Sequence, residues 1–127
     1  MPSTQTERSS GGSKGAAISN MVVRTVSDCT GRGPTRARTA FGQDVLTVVL
    51  QDSLTKGERS LIRGGLDELV LDTRKAFQRA MRGDLIRGVE HILGREVIAL
   101  LSDNHIDPDV AVEVFVLAPD GVEAPEE

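Results

Sequence analysis

Two kinds of hydrophobic periodicity alternate along this chain, and their order limits the folds that it can adopt. Apolar residues recur at helical spacing over residues 18–29 and again over residues 66–93. Each helical segment is followed by two short extended runs. These runs lie at 36–41, 45–50, 96–101 and 111–117. Short connections within each pair require antiparallel hairpins, so we predict an α+β fold with the order helix, hairpin, helices, hairpin. The simplest assembly is a four-stranded antiparallel sheet with the helices packed mainly on one face.

Local signals mark where the predicted helices begin and end. Thr55 and Glu58 have the spacing of a capping box, in which each side chain satisfies a backbone N–H at a helix start. A Gly-Gly pair at 64–65 then interrupts this short helix. Gly94 follows the last helical residue, as glycine commonly does. Gly83 lies inside the long segment, so that segment is either one helix or two helices joined by a kink.

The length of the chain and its end segments predict one domain with two tails. At 127 residues and 39% apolar content, the chain can form one continuous core but not two. We predict that residues 1–14 form a disordered tail, that residues 15–118 form the α+β domain, and that residues 119–127 form an acidic tail. No apolar run approaches the ~20 residues of a membrane span, and the N-terminus lacks the apolar region of a secretory signal. We therefore expect a cytoplasmic protein without direct membrane insertion.

Apolar side chains on both faces of the predicted strands indicate that a further partner covers part of the sheet. Leu46, Val48 and Leu50 lie on one side of the second strand. Val45 and Val49 lie on its other side. One layer of helices covers only one face of a sheet. We therefore expect a homodimer, or a complex in which another subunit covers the second face.

The segment between the first helix and the first strand is one candidate for a binding site. It reads GRGPTRAR, and flexible backbone amides beside arginine side chains favour an oxyanion such as phosphate. The same glycines and proline also end a helix and open a strand, and no Walker or Rossmann pattern accompanies them. The candidate residues for binding a partner or an anion are Gly31, Arg32, Gly33, Pro34, Arg36 and Arg38.

A polar segment, SDNHIDPD at 102–109, is the second candidate. Its three carboxylates and one imidazole are residue types that bind metal ions. The segment lacks the fixed glycine and the terminal glutamate of a calcium loop, however, and it has no second histidine at the spacing of a zinc site. Asn, Asp and Pro also dominate ordinary turns. We interpret the segment as a hairpin loop in which Asp103 and His105 are candidate functional residues, and we predict no metal and no cofactor.

Several classes of function lack the residues that they need. No nucleophile lies at motif spacing from a base, so we do not expect an enzyme. The chain has no Trp or Tyr, which argues against stacking on single-stranded nucleic acid, and we expect no nucleic-acid partner. The arginines of the long helix alternate with carboxylates and are most simply a solvated mixed-charge face. They are Arg74, Arg79, Arg82 and Arg87.

An ordered series of short motifs resembles the MpsC-like family over residues 15–118. The series comprises GRGPTRAR, LTKGERSL, the amphipathic helix that contains Arg74, GREV, SDNHIDPD and VFVL. The family is named for a sodium-translocating, membrane-potential-generating system related to inorganic-carbon uptake. The resemblance implies a soluble accessory subunit of such a system, held at the membrane through a partner. It implies no catalytic residue, and its recurrent positions here are Gly31, Gly33, Pro34, Leu54, Thr55, Arg74, Gly94 and Asp103.

The residues themselves are also compatible with a second function. The arginines beside the glycine-rich turn also suit a stand-alone homodimeric regulatory module that binds a small anion, such as bicarbonate or a phosphorylated metabolite. The two functions differ in the partner, which is a larger protein assembly in the first and a small molecule in the second.

Overall fold

Seven helices and strands follow one another in residues 12–119, the part of the chain that this computed structural model describes. In chain order they are α1 (Gly12–Thr30), β1 (Arg36–Phe41), β2 (Val45–Gln51), α2 (Lys56–Arg63), α3 (Asp67–Leu93), β3 (Val97–His105) and β4 (Val110–Leu117). The predicted order of elements is confirmed. α1 begins three residues before the predicted start of the domain, and most of the two predicted tails lies outside the described residues.

The four strands form one antiparallel sheet in the order β1-β2-β4-β3. The hairpins β1–β2 and β3–β4 meet where β2 pairs with β4, so the second strand of each hairpin is central. This arrangement confirms the α+β class and the four-stranded antiparallel sheet. It leaves β1 and β3 at the two edges.

The core lies on one side of the sheet, which we call the inner face. In β2 the residues Leu46, Val48 and Leu50 are buried and alternate with half-buried neighbours, and in β4 Phe115 is fully buried. The core cluster joins these strand residues to apolar residues of α1 and α3. The helical members are Ile18, Val22, Val26, Met81, Leu85 and Val89. That the helices lie mainly on this face stays a prediction, which the composition of the core favours.

The boundaries of α2 and α3 follow the local signals. Both halves of the capping box form, since Thr55 Oγ1 accepts from the Glu58 amide at 3.1 Å and Glu58 Oε1 accepts from the Thr55 amide at 2.8 Å. α3 continues through Gly83 as one helix of 27 residues, so the alternative of two helices is wrong. It ends at Gly94, whose φ of 68° lies in the left-handed region that glycine adopts at little cost.

Among the glycines of α1 and α3, Gly88 lies closest to the other helix. A Cβ atom at this position would lie 2.6 Å from Sδ of Met21 on α1. A residue with a side chain would therefore push the helices apart or displace Met21. None of the helices in residues 12–119 combines the length and the apolar character that crossing a membrane requires.

Phe115 at the centre of the sheet gives the first test of this core. Its side chain is 0% exposed, whereas Phe77 is packed against the core but only partly buried. We expect Phe115→Ala to lower the free energy of unfolding by about 3–5 kcal/mol, because the cavity cannot fully collapse. Phe77→Ala should cost clearly less, since part of that ring already contacts water. Urea denaturation of both variants at one protein concentration measures the difference, and equal losses would contradict the burial described here.

Candidate functional site

Arg32 connects the predicted GRGP segment to the end of β2. Its guanidinium donates to the backbone carbonyl oxygen of Asp52 and, at 3.2 Å, to Oδ2 of the same residue. Thr35 donates to this Oδ2 atom at 3.0 Å, and Arg59 donates to Oδ1 at 2.5 Å. The hydrogen bonds from Thr35, Arg59 and Arg32 lower the pKa of Asp52, with that of Thr35 contributing most. An anion would therefore have to compete with Asp52 for the charge of Arg32.

The glycines and the proline of this segment have local structural roles. Gly31 has a φ of 86° directly after α1, a left-handed conformation that commonly ends a helix. Gly33 lies against α1, because a Cβ atom there would be 3.2 Å from Cγ1 of Val23. Pro34 is buried. The packing thus accounts for these residues without an anion, and anion binding by this segment stays a prediction.

Arg36 and Arg38 lie on the face of the sheet opposite the core, which we call the outer face. Both are exposed, and they alternate along β1 with half-buried Ala37 and Thr39. Thr39 forms a 2.8 Å hydrogen bond with Ser19 of α1. Because successive side chains of a strand point to opposite faces, Arg36 and Arg38 point away from α1.

The strand register aligns the outer-face residues in rows across the sheet. One row contains Arg38, Val49, Val112 and Asp103, and the next contains Arg36, Gln51, Val110 and His105. A third row contains Ala40, Thr47, Val114 and Leu101. The structure therefore brings two sets of predicted residues onto one face, but at opposite edges of the sheet.

The interpretation of SDNHIDPD as a hairpin loop is wrong for its first half. β3 extends to His105, and only residues 106–109 form the turn. Asp103 and His105 are exposed strand residues, whereas Ser102 and Asn104 point to the inner face and form hydrogen bonds there. These inner-face partners explain why polar residues continue the strand where turn propensity alone predicts a loop.

Arg74 of α3 lies at the centre of a buried polar network. Its side chain donates to Oε1 of Glu58 at 2.9 Å, to Oγ of Ser53 at 2.7 Å and to Oδ1 of Asn104 at 3.1 Å. The residue is 8% exposed, so its interpretation as part of a solvated face is wrong. The three acceptors belong to α2, to the connection after β2 and to β3. One planar guanidinium thereby positions three other parts of the fold.

Glu58 has two functions in this network. Its Oε1 atom caps α2 and accepts the hydrogen bond from Arg74. Its Oε2 atom is buried and has no hydrogen-bond partner among residues 12–119. The ion pair with Arg74 is therefore the main compensation for removing this carboxylate from water.

Glu113 of β4 is a second buried carboxyl group on the inner face. It is 1% exposed, accepts a hydrogen bond from Ser102 and lies 3.5 Å from the donor nitrogen of Gln78. Burial raises its pKa to about 7, against the opposing effects of the hydrogen bonds from Ser102 and Gln78 and of the charge on Arg74. The sequence shows Glu113 only as an interruption of an apolar strand, so its titration near neutral pH was not predicted.

An open groove between α3 and β3 is lined by three cationic side chains. Lys75, Arg79 and Arg82 are exposed and follow one another at intervals of four and three residues, which places them on one face of the helix. Arg82 also donates to the carbonyl oxygen of Leu100 at 2.9 Å. No ion pair joins these three cations to a carboxylate within the described part of the chain. We call this surface the basic groove.

The basic groove and Glu113 share two side chains. Gln78 and Ser102 line the groove, and the same two residues contact the carboxyl group of Glu113. Glu113 is therefore connected to the groove through these two side chains, and Arg74 is the cation whose charge lowers its pKa. Within residues 12–119, no cluster of three or more His, Cys, Asp or Glu side chains is arranged to hold a metal ion.

Comparisons with known proteins identify similar sequences. A family model described as "Na+-translocating membrane potential-generating system (MpsC)" matches residues 10–119. The uncharacterized protein YrhF of Bacillus subtilis (strain 168) is 26% identical over 100 residues, which are 76% of this chain and 82% of that protein. No solved structure matches the chain.

Removing the buried guanidinium tests the importance of the Arg74 network. We expect Arg74→Ala to lower the free energy of unfolding by about 3–5 kcal/mol, because Glu58 is left as an uncompensated buried charge. Arg87→Ala is the matched control, since Arg87 forms an exposed ion pair with Asp84 and should cost about 1 kcal/mol or less. Urea denaturation compares the two variants. A loss in Arg74→Ala no larger than that in the control would contradict a central role for the network.

The raised pKa of Glu113 predicts a specific dependence of stability on pH. Between the ordinary carboxyl value of 4.5 and about 7, the folded protein binds more protons at Glu113 than the unfolded chain does. The free energy of unfolding should therefore fall as pH rises through this window, by roughly 3 kcal/mol from this residue, and then level off. Glu113→Gln should remove this contribution, as measured by denaturation at several pH values. An unchanged slope in the variant would show that Glu113 is not the responsible group.

Proposed function

Because the chain belongs to the MpsC family, we propose that it is an accessory subunit of a Na⁺-translocating, membrane-potential-generating system. The match over residues 10–119 carries this proposal, since it spans all of the described fold. The subunit acts by binding another protein of the system rather than by catalysis. It resides in the cytoplasm and is peripheral to the membrane through that partner.

The basic groove is the surface that best suits docking on a larger assembly. Lys75, Arg79 and Arg82 present positive charge that no described carboxylate pairs with, which favours an acidic segment of the partner. The arginine of the GRGP turn, Arg32, is less suited because Asp52 already compensates its charge. For the same reason, the geometry gives no specific support to the alternative function of a module that binds a small anion at that turn.

Co-purification from the host cell tests this function. With an affinity tag on the chain, we expect recovery of a multi-span Na⁺-translocating membrane protein, identified by mass spectrometry. The double variant Lys75→Glu/Arg79→Glu should reduce this recovery at least about tenfold, because like charges now meet at the docking surface. Arg24→Glu/Lys56→Glu is the charge-matched control, since both residues are exposed on other helices, and it should retain recovery.

The cellular role gives an independent readout. Deleting the gene should lower the Na⁺-dependent part of the membrane potential, and the groove variant should fail to restore it where the control variant succeeds. Recovery of no ion-translocating protein, together with an unchanged membrane potential, would refute the proposed function. If the groove variant co-purified the partner normally, the docking surface would instead lie elsewhere on the chain.

A further inference from the structure

The outer face of the sheet has an apolar centre that the core does not include. The valines of the central strands on this face are half-buried, and none belongs to the core cluster of the described residues. They are Val45, Val49, Val110, Val112, Val114 and Val116. On the edge strand β3, Ile98 and Leu101 are 57% and 58% exposed. A continuous apolar surface of this kind on a small protein marks an interface.

The charges that flank this centre differ between the two edges. At the β1 edge, Arg36 and Arg38 are exposed, and no described carboxylate forms an ion pair with them. At the β3 edge, Asp103 is exposed and accepts a hydrogen bond only from the neighbouring backbone amide of Asn104 within the described residues. One row across the face thus begins with a cation, continues through two valines and ends with an anion.

We propose that the outer face binds the outer face of a second copy of this chain, related by a two-fold axis that runs parallel to the strands between β2 and β4. Rotation about this axis leaves the position of each residue along the strand direction unchanged. It exchanges the two edges of the sheet, so β1 of each copy lies opposite β3 of the other. It places Arg38 of each copy opposite Asp103 of the other, with Val49 and Val112 between the two ion pairs. A row with this charge order is its own complement, which is what a closed two-fold interface requires.

The other simple two-fold arrangement is electrostatically unfavourable. An axis in the sheet plane but perpendicular to the strands stacks β1 on β1, and therefore brings the arginines of both copies together. It also brings both copies of Asp103 together. The row from Arg36 to His105 adds no comparable pair, so Arg38 and Asp103 are the residues that select the axis.

The size of the face sets the expected strength of the dimer. Four strands spaced ~4.8 Å apart and about seven residues long give a flat area of roughly 450 Å² per copy. This area is about half of the ~800 Å² per partner in interfaces of standard size. The dimer should therefore form in the micromolar range and weaken at high salt, because charge pairs at its rim contribute.

Sedimentation of the purified full-length chain from about 1 to 200 μM tests the interface. We expect a monomer–dimer equilibrium, and Val112→Glu should raise the dissociation constant at least about 30-fold, because it places a carboxylate in the apolar centre. Leu69→Glu is the matched control, since Leu69 is 49% exposed on α3, and it should leave the equilibrium within about threefold. Circular dichroism verifies that both variants stay folded.

A charge exchange tests the axis. Arg38→Glu and Asp103→Arg should each raise the dissociation constant at least about tenfold, because each places like charges opposite one another twice in the dimer. The double variant Arg38→Glu/Asp103→Arg restores both pairs with reversed sign and should return to within about threefold of the original value. In a Cys29→Ser background, a short bismaleimide should link Arg38→Cys chains to Asp103→Cys chains only when the two are mixed.

Each outcome of these experiments decides one part of the proposal. A chain that stays monomeric up to 200 μM, or a dimer that Val112→Glu leaves intact, overturns the outer-face dimer. Single variants that the double variant does not rescue, or cross-linking of Asp103→Cys chains to one another, overturn the strand-parallel axis. These measurements use the purified chain alone, so their result is independent of whether the subunit binds a Na⁺-translocating system.

Discussion

The buried ion pair between Arg74 and Glu58 is the interaction on which the arrangement of this fold most depends. Removing two charges from water is costly, and the cost is offset only when the geometry supplies further hydrogen bonds. Arg74 forms these with Ser53 and Asn104, so α2, the connection after β2 and the polar half of β3 must all reach one guanidinium. Since apolar contacts tolerate small shifts and this network does not, it fixes the relative position of the elements that frame the groove.

Much of the fold could be predicted because its signals are local. The capping box at Thr55 and Glu58 and the glycine at Gly94 specify helix ends through the backbone groups of adjacent residues. The role of Arg74 could not be predicted, because its partners lie 16 to 30 residues away in sequence and its helix also carries exposed arginines. The strand order could not be predicted for the same reason, since pairing of β2 with β4 depends on contacts between the two hairpins.

The candidate site shows the same division between local and distant information. The sequence identified Arg36, Arg38 and Asp103 as notable, but their alignment across one face depends on the register of three strand pairs. The basic groove requires one face of α3 to lie beside β3, which helical spacing alone does not establish. The outer face and the basic groove are different surfaces, so the proposed pairing of two copies and the proposed docking on a partner would use different residues.

Gln78 and Ser102 place Glu113, a carboxyl group whose pKa is raised to about 7, next to the proposed docking surface. An anionic segment bound at Lys75 and Arg79 would disfavour the ionised form of this neighbouring carboxyl group, so docking near neutral pH would take up protons. Because linkage is reciprocal, acidification would strengthen docking by the same free energy. In the proposed complex, docking would thereby depend on the proton concentration around the groove.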